Sequence, residues 1–124
     1  MITVLVVDDN SDVRELFELI LVSMGYTAIA VPGGRECLEV LKTIKPDIIL
    51  LDIMMESMDG WETLLGIKAS PDTKTIPVIM ITGKEATDQE KQKFGGYYAD
   101  YIVKPVRAEQ LRERIEQVLH ADPE

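Results

Sequence analysis

The sequence predicts an α/β domain: a doubly wound, five-stranded parallel sheet of order 2-1-3-4-5 with helices on both faces. Three observations predict it. Short runs rich in Val and Ile recur along the chain, and segments with the period of an amphipathic helix lie between them. The 124 residues fit one domain, with no internal repeat and no linker. Strand and helix alternating five times read as α/β with a parallel sheet. Right-handed crossovers then restrict the strand order, and five strands favour the switch between strands 1 and 3.

The elements follow in order. Val4-Leu5-Val6-Val7 is the first strand; its apolarity is continuous rather than alternating, as in a strand buried on both faces. Val13, Leu16, Phe17, Ile20 and Met24 then make one helical stripe, and Gly25 stands where a helix C-terminus is capped. Tyr26 to Val31 is a weaker second strand. Cys37, Leu38, Leu41 and Ile44 form a second helical stripe, stopped by Pro46. Ile48-Ile49-Leu50-Leu51 is the third strand and Trp61 to Ala69 a shorter helix. Val78-Ile79-Met80-Ile81 is the fourth strand, and Thr87 to Phe94 another short helix. Tyr101-Ile102-Val103 is the fifth strand, and Leu111, Ile115, Val118 and Leu119 mark the last helix.

Composition narrows the function. Thirteen Lys and Arg against 22 Asp and Glu leave a net charge of −9. Such a chain repels nucleic acid, whose binding rests on cations neutralising phosphates, and it repels anionic lipid heads. No direct nucleic-acid or membrane partner is expected. No apolar run approaches the ~20 residues of a membrane span. Met1-Ile2-Thr3 leads straight into the first strand without a basic segment, so no signal peptide is expected. The one cysteine, Cys37, has no internal partner, which suits a reducing compartment and a cytoplasmic location. On an apolar helical stripe it reads as core.

In sheets of this kind ligands bind beyond the carboxyl ends of the strands, at the switch point. Asp8 and Asp9 follow strand 1, Asp52 ends strand 3, Thr82 follows strand 4 and Lys104 follows strand 5. Singly, each has a plain reading. Asp8 and Asp9 suit caps of the next helix, Asp52 a turn, Thr82 a helix cap and Lys104 a solvated surface. Together the fold brings them to one edge. Three carboxylates there repel one another and Lys104 cancels one charge. Either their pKa values rise or a divalent cation sits among them. Oxygen ligands without His or Cys suit Mg²⁺, or Mn²⁺ in its place. A cation that keeps open positions serves a phosphate, with Lys104 and the Thr82 hydroxyl as donors to phosphoryl oxygens.

Five segments stand in a telling order: Val6-Val7-Asp8-Asp9-Asn10 with Asp12 and Arg14, Leu51-Asp52-Ile53-Met54-Met55, Met58-Asp59-Gly60, Ile81-Thr82, and Tyr101-Ile102-Val103-Lys104-Pro105. With these the chain resembles the receiver domain of two-component response regulators, the family of the chemotaxis regulator, whose fold is flavodoxin-like. The resemblance covers essentially the whole chain, residues 1–124, as one domain. It implies that Asp52 is the phosphoacceptor, taking a phosphoryl group from a histidine kinase, a phosphotransfer protein or a small donor such as acetyl phosphate. It implies that Asp9, Asp52 and the backbone carbonyl of Met54 hold Mg²⁺ directly, with Asp8 acting mostly through water. Lys104 would pair with the phosphoryl group, Thr82 would swing to bond it, and Tyr101 would rotate inward behind Thr82. The Lys104–Pro105 bond would be cis. Partners or an output domain would dock on the face of the fourth helix, fifth strand and fifth helix. The protein would be a switch, not an enzyme acting on other substrates.

Some positions depart from the family's pattern. Glu56 replaces a usual loop proline, Gly83 follows the switch threonine, and Arg107 stands where a capping Asp, Ser or Thr is common. Met54 and Lys84, two beyond Asp52 and Thr82, offer no group that orients or deprotonates an attacking water. Met54, Met55 and Met58 read as packing around the loop, His120 as a residue suited to a helix C-terminus, and Tyr97 and Tyr98 as half-buried filler or, the preferred reading, part of a docking face beside Tyr101. Three rival readings fare worse. An aspartyl-phosphate phosphatase needs a second acid two residues after its nucleophile, where this chain has Met54. A flavodoxin-like nucleotide binder needs a Ser/Thr/Gly phosphate loop where Asp8-Asp9-Asn10 stands. A receiver that works without phosphorylation has no need of the full set Asp9, Asp52, Thr82 and Lys104. Whether the domain stands alone or belongs to a longer regulator or hybrid kinase is open from the sequence.

Overall fold

The computed structural model describes residues 1–120. Ten elements alternate: β1 (Thr3–Val7), α1 (Ser11–Ser23), β2 (Thr27–Val31), α2 (Gly34–Val40), β3 (Ile48–Asp52), α3 (Gly60–Ala69), β4 (Val78–Thr82), α4 (Asp88–Phe94), β5 (Asp100–Val103) and α5 (Ala108–Leu119). The five strands form one sheet in the order β2-β1-β3-β4-β5, and every neighbouring pair is parallel. The expected doubly wound sheet is the one observed.

The pleat sorts the core into two layers. Val4, Val6, Ile48, Leu50, Ile79, Ile81 and Ile102 face α1 and α5, where Phe17, Leu21, Leu111 and Ile115 cover them. Leu5, Val7, Ile49, Leu51, Val78 and Met80 face α2, α3 and α4, meeting Cys37, Leu64, Ile67 and Phe94. Both faces of β3 and β4 are therefore buried, which is why their sequences are apolar up to the last residue of each, Asp52 and Thr82. Each fully buried Leu or Ile contributes about 1.5–3 kcal/mol relative to exposure. The strands at the sheet's edges, β2 and β5, are less buried, and β2 reads weaker in sequence for that reason.

Helix ends explain most boundaries. Asn10, not Asp8 or Asp9, caps α1: its side-chain oxygen accepts from the N–H groups of Asp12 and Val13 at 2.9 and 3.1 Å. Gly25, at φ 88°, closes the other end, with its N–H on the Val22 carbonyl and that of Tyr26 on the Leu21 carbonyl. This is the paired bonding of a left-handed glycine stop. Asp59 and Thr87 open α3 and α4 with capping boxes completed by Glu62 and Glu90. Arg107 starts α5 without a side-chain cap.

Four expectations need correction. The helical stripe predicted through Ile44 ends earlier, at Val40. Lys42 and Thr43 bond three residues back and the Thr43 hydroxyl takes the Val40 carbonyl, so the chain turns before Pro46. Leu16 is 55% exposed although the stripe included it, because the buried line of α1 runs through Phe17 and Leu21. Met54 is 63% exposed rather than packed, while Met55 does pack on the core and the Met58 sulfur lies over Gly34. Tyr97 and Tyr98 part company: Tyr97 is exposed, and Tyr98 is half-buried against Trp61 and Tyr101.

Candidate functional site

Parallel strands present their carboxyl ends together, and here those ends carry the polar residues. With Asn10 taking the cap of α1, Asp8 and Asp9 are released from that duty. Asp52 is the last residue of β3 and Thr82 the last of β4. Lys104 follows β5 at a cis peptide to Pro105. One oxygen each from Asp8, Asp9 and Asp52 lies within 4.8 Å of the others. The Lys104 ammonium sits 2.9 Å from Asp8 and 4.0 Å from Asp52.

The three acids differ in setting. Asp8 is buried; it accepts the Asn10 N–H at 3.0 Å, and Arg14 donates to its backbone carbonyl at 2.8 Å. Asp9 is exposed and accepts the Glu56 N–H at 3.4 Å. Asp52 is buried, and burial pushes its carboxyl up to about 6, with the Asp8 charge adding to the rise. Lys104 and the N–H groups of Met54 and Ile53 pull the other way. Thr82 is fully buried, and its hydroxyl has no hydrogen-bond partner among the described residues. The cap of α4 is Thr87, so Thr82 has no capping role. Such a hydroxyl costs about 1–3 kcal/mol unless something accepts from it.

This donor set fits a hard divalent cation. Three carboxylates converge with one ammonium beside them, and no His or Cys joins the cluster. The same edge fits a phosphoryl group, because the orphan Thr82 hydroxyl and the Lys104 ammonium hydrogens not taken by Asp8 are donors for its oxygens. The Lys104 and Thr82 backbones are themselves joined, N–H to carbonyl, at 2.7 Å.

The profile of the response regulator receiver domain family matches residues 4–116. The chain belongs to the response regulator receiver domain family. Among solved structures it is similar to the N-terminal domain of a response regulator receiver protein from Methanoculleus marisnigri, at 49% identity and a TM-score of 0.79, covering 97% of this chain and 98% of that one. It shares its fold, at 23% identity and a TM-score of 0.85, with the receiver domain of a sensor histidine kinase from Pseudomonas aeruginosa that has a magnesium ion coordinated in its active-site cleft; 96% of this chain and 98% of that one are covered. Among curated proteins it is 37% identical over 117 residues to a probable cyclic di-GMP phosphodiesterase of Vibrio cholerae, covering 91% of this chain and 25% of that protein. The chain spans about a quarter to a half of the length of the first curated relatives it matches. In this family the domain is a regulatory switch, and the phosphodiesterase likeness extends only to the shared quarter. Among the described residues no helix is long and apolar enough to cross a membrane.

Beside the receiver site, Trp61, Phe94 and Glu90 join Tyr98 and Tyr101 in a group that the sequence reading did not put together. Trp61 stacks on Phe94 with ring centroids 4.4 Å apart and planes 6° apart, and its indole N–H donates to Glu90 at 3.0 Å. Tyr98 and Tyr101 lie against the same ring, at 6.0 and 6.4 Å. The Tyr101 hydroxyl donates to the Lys84 carbonyl at 2.8 Å, and burial pushes its pKa up to about 12, with Glu90 and Tyr98 adding. The signal for Glu90 was readable: Thr87-x-x-Glu90 is a capping-box spacing. Its bond to Trp61 was not, since 29 residues separate them.

Proposed function

We propose that residues 1–124 form one receiver domain that accepts a phosphoryl group on Asp52 and signals through a changed binding surface. The observation that carries this is the company Asp52 keeps: two further carboxylates, Lys104 within 4.0 Å and the unpartnered Thr82 hydroxyl. The donor is the phosphohistidine of a histidine kinase or phosphotransfer protein, or a small phosphodonor.

A carboxylate oxygen of Asp52 attacks phosphorus as the bond to the donor's imidazole nitrogen breaks; the imidazole leaves and takes up a proton. Asp9, Asp52 and the Met54 carbonyl would hold Mg²⁺, or Mn²⁺, with Asp8 behind them. When bound, the cation neutralises phosphoryl charge that would otherwise repel the attacking carboxylate. Lys104 turns from Asp8 toward the phosphoryl oxygens, and Thr82 donates its hydroxyl to one of them. The acyl phosphate brings ~1.5–2 negative charges, enough to bias a two-state surface. Drawing Thr82 toward the site opens space for Tyr101, whose ring then turns inward. The face of α4, β5 and α5 thereby changes toward a downstream protein or a covalently attached output domain. The excess of acidic residues argues against direct contact with nucleic acid or an anionic membrane, and the single Cys37, buried in the core, suits a cytoplasmic setting.

Transfer from a phosphorylated histidine phosphotransfer protein, followed by label, tests this reading. Label should move to the wild type in Mg²⁺, stop with a chelator, and be released by hydroxylamine as an acyl phosphate is. Label that survives hydroxylamine would place the phosphoryl group on another side chain.

A further inference from the structure

Trp61 joins two parts of the molecule that a phosphorylation switch must couple. Its backbone is tied to the phosphoacceptor strand through Gly60. The Gly60 N–H bonds the Ile53 carbonyl at 2.8 Å, and a Cβ at Gly60 would lie 2.3 Å from the Asp52 carbonyl oxygen. The start of α3 is therefore pressed against the end of β3, with no room to move independently. The indole meanwhile reaches α4 and β5, stacking on Phe94, touching Tyr98 and Tyr101, and donating to Glu90.

Glu90 is more than an acceptor. One carboxylate oxygen takes the Thr87 N–H at 2.8 Å, completing the cap of α4, and the other takes the Trp61 N–H at 3.0 Å. These bonds, that of Thr87 foremost, hold its carboxyl below the usual carboxylate range. The stretch from Lys84 to Glu90, which connects Thr82 to α4, is thus fastened at both ends. Tyr101 holds the Lys84 carbonyl and Trp61 holds the Glu90 carboxylate.

We propose that Trp61 is a positioning residue of the switch, whose N–H latches the start of α4 through Glu90 and holds the β4–α4 connection in its resting arrangement. This rests on the reading of Asp52 as phosphoacceptor. Movement of Thr82 toward a phosphoryl group pulls on a connection only a few residues long, and the latch must open for α4 to follow. A bond present in the resting arrangement alone opposes activation by its own strength. Removing it raises the population of the active arrangement and lowers the apparent dissociation constant of anything that selects that arrangement.

The test titrates the Mg²⁺-loaded full chain with beryllofluoride, a phosphoryl mimic, and reads site occupancy from amide shifts near Asp52. In the wild type, emission of Trp61, the chain's one tryptophan, should change in step with occupancy. Trp61→Phe keeps an aromatic ring on Phe94 and loses the N–H. Glu90→Gln has one carbonyl oxygen where the carboxylate has two, so it serves the cap and gives up the indole. Both variants should half-saturate at a concentration about five- to tenfold lower, as loss of one hydrogen bond of ordinary net strength from the resting state requires. Thr87→Val, which weakens the cap without touching the indole, should not. Unchanged or weaker binding in both latch variants, or an equal gain in Thr87→Val, overturns the latch. No saturable binding in the wild type overturns instead the phosphoacceptor reading beneath it.

Discussion

At the scale of single residues, the proposed phosphoacceptor Asp52 is a buried acid whose charge is costly. Burial pushes its carboxyl up to about 6 from an ordinary 3.8, so the folded chain binds more protons than the unfolded chain between those values. Stability of the metal-free protein should therefore fall as pH rises through that window. Asp52→Asn removes the buried charge and should raise stability at neutral pH by about 1–2 kcal/mol, less than the whole shift implies because the cleft opens to solvent. Thermal unfolding of metal-free wild type and variant checks this; an equal or lower midpoint for Asp52→Asn would mean that the carboxylate is already well solvated. Met54 and Lys84 bear on how long the phosphoryl group stays. Met54 is exposed at the site's mouth, and Lys84 is exposed and offers only ammonium donors. Neither orients water for attack, so the acyl phosphate should be long-lived. Met54→Asn with Lys84→Glu should shorten its lifetime about tenfold, or about 1.4 kcal/mol in barrier. The readout is loss of label from purified phosphoprotein in Mg²⁺; a wild-type lifetime no longer than the double variant's would point to another group, with Glu56 on the loop the first to test.

At the scale of elements, the helix ends carry the information. Arg107 places a cation where α5 exposes unpaired N–H groups, and it offers them no acceptor. Arg107→Ser should stabilise the fold by about 0.5–2 kcal/mol, seen as a higher unfolding midpoint; no gain would mean that the end of α5 is satisfied by solvent alone. The elements themselves were legible in the sequence for a physical reason: strands buried on both faces must be continuously apolar, and β1, β3 and β4 each carry a run of four consecutive apolar residues. What periodicity could not decide was which side of a stripe meets the sheet. Leu16 and Phe17 are both apolar and adjacent, and only packing into the core layer over the sheet selects Phe17. Length was equally hidden at α2, where the Thr43 hydroxyl and the approaching Pro46 end a helix that Leu41 and Ile44 would have continued. The polar edge was legible because strand ends converge in a parallel sheet, so Asp8, Asp9, Asp52, Thr82 and Lys104 could be grouped before any coordinate. The Trp61–Glu90 bond was not, because it joins two helices whose relative placement no local pattern encodes.

At the scale of the whole molecule, cation binding and stability are linked. A cation held by Asp9 and Asp52 in the fold alone stabilises it by about 2.7 kcal/mol at a hundredfold excess over its dissociation constant. Mg²⁺ should raise the unfolding midpoint of the wild type and barely move that of Asp9→Ala, while Glu56→Ala should respond as wild type does. A larger loss in Glu56→Ala would put the loop carboxylate in the ligand set. The signal should leave the molecule through α4, β5 and α5, where Tyr97 is exposed beside the packed Tyr98 and Tyr101. Aromatic side chains are favoured anchors at interfaces. Phosphorylation-induced amide shifts should concentrate on that face, and shifts confined to α1 would send the signal elsewhere. The proposed function rests on one covalent event, which mass spectrometry of the intact chain reads directly after incubation with acetyl phosphate. Wild type should gain one phosphoryl group in Mg²⁺ and none in chelator, and Asp52→Asn should gain none in either; equal labelling of Asp52→Asn and wild type would contradict the assignment of Asp52 as the phosphoacceptor.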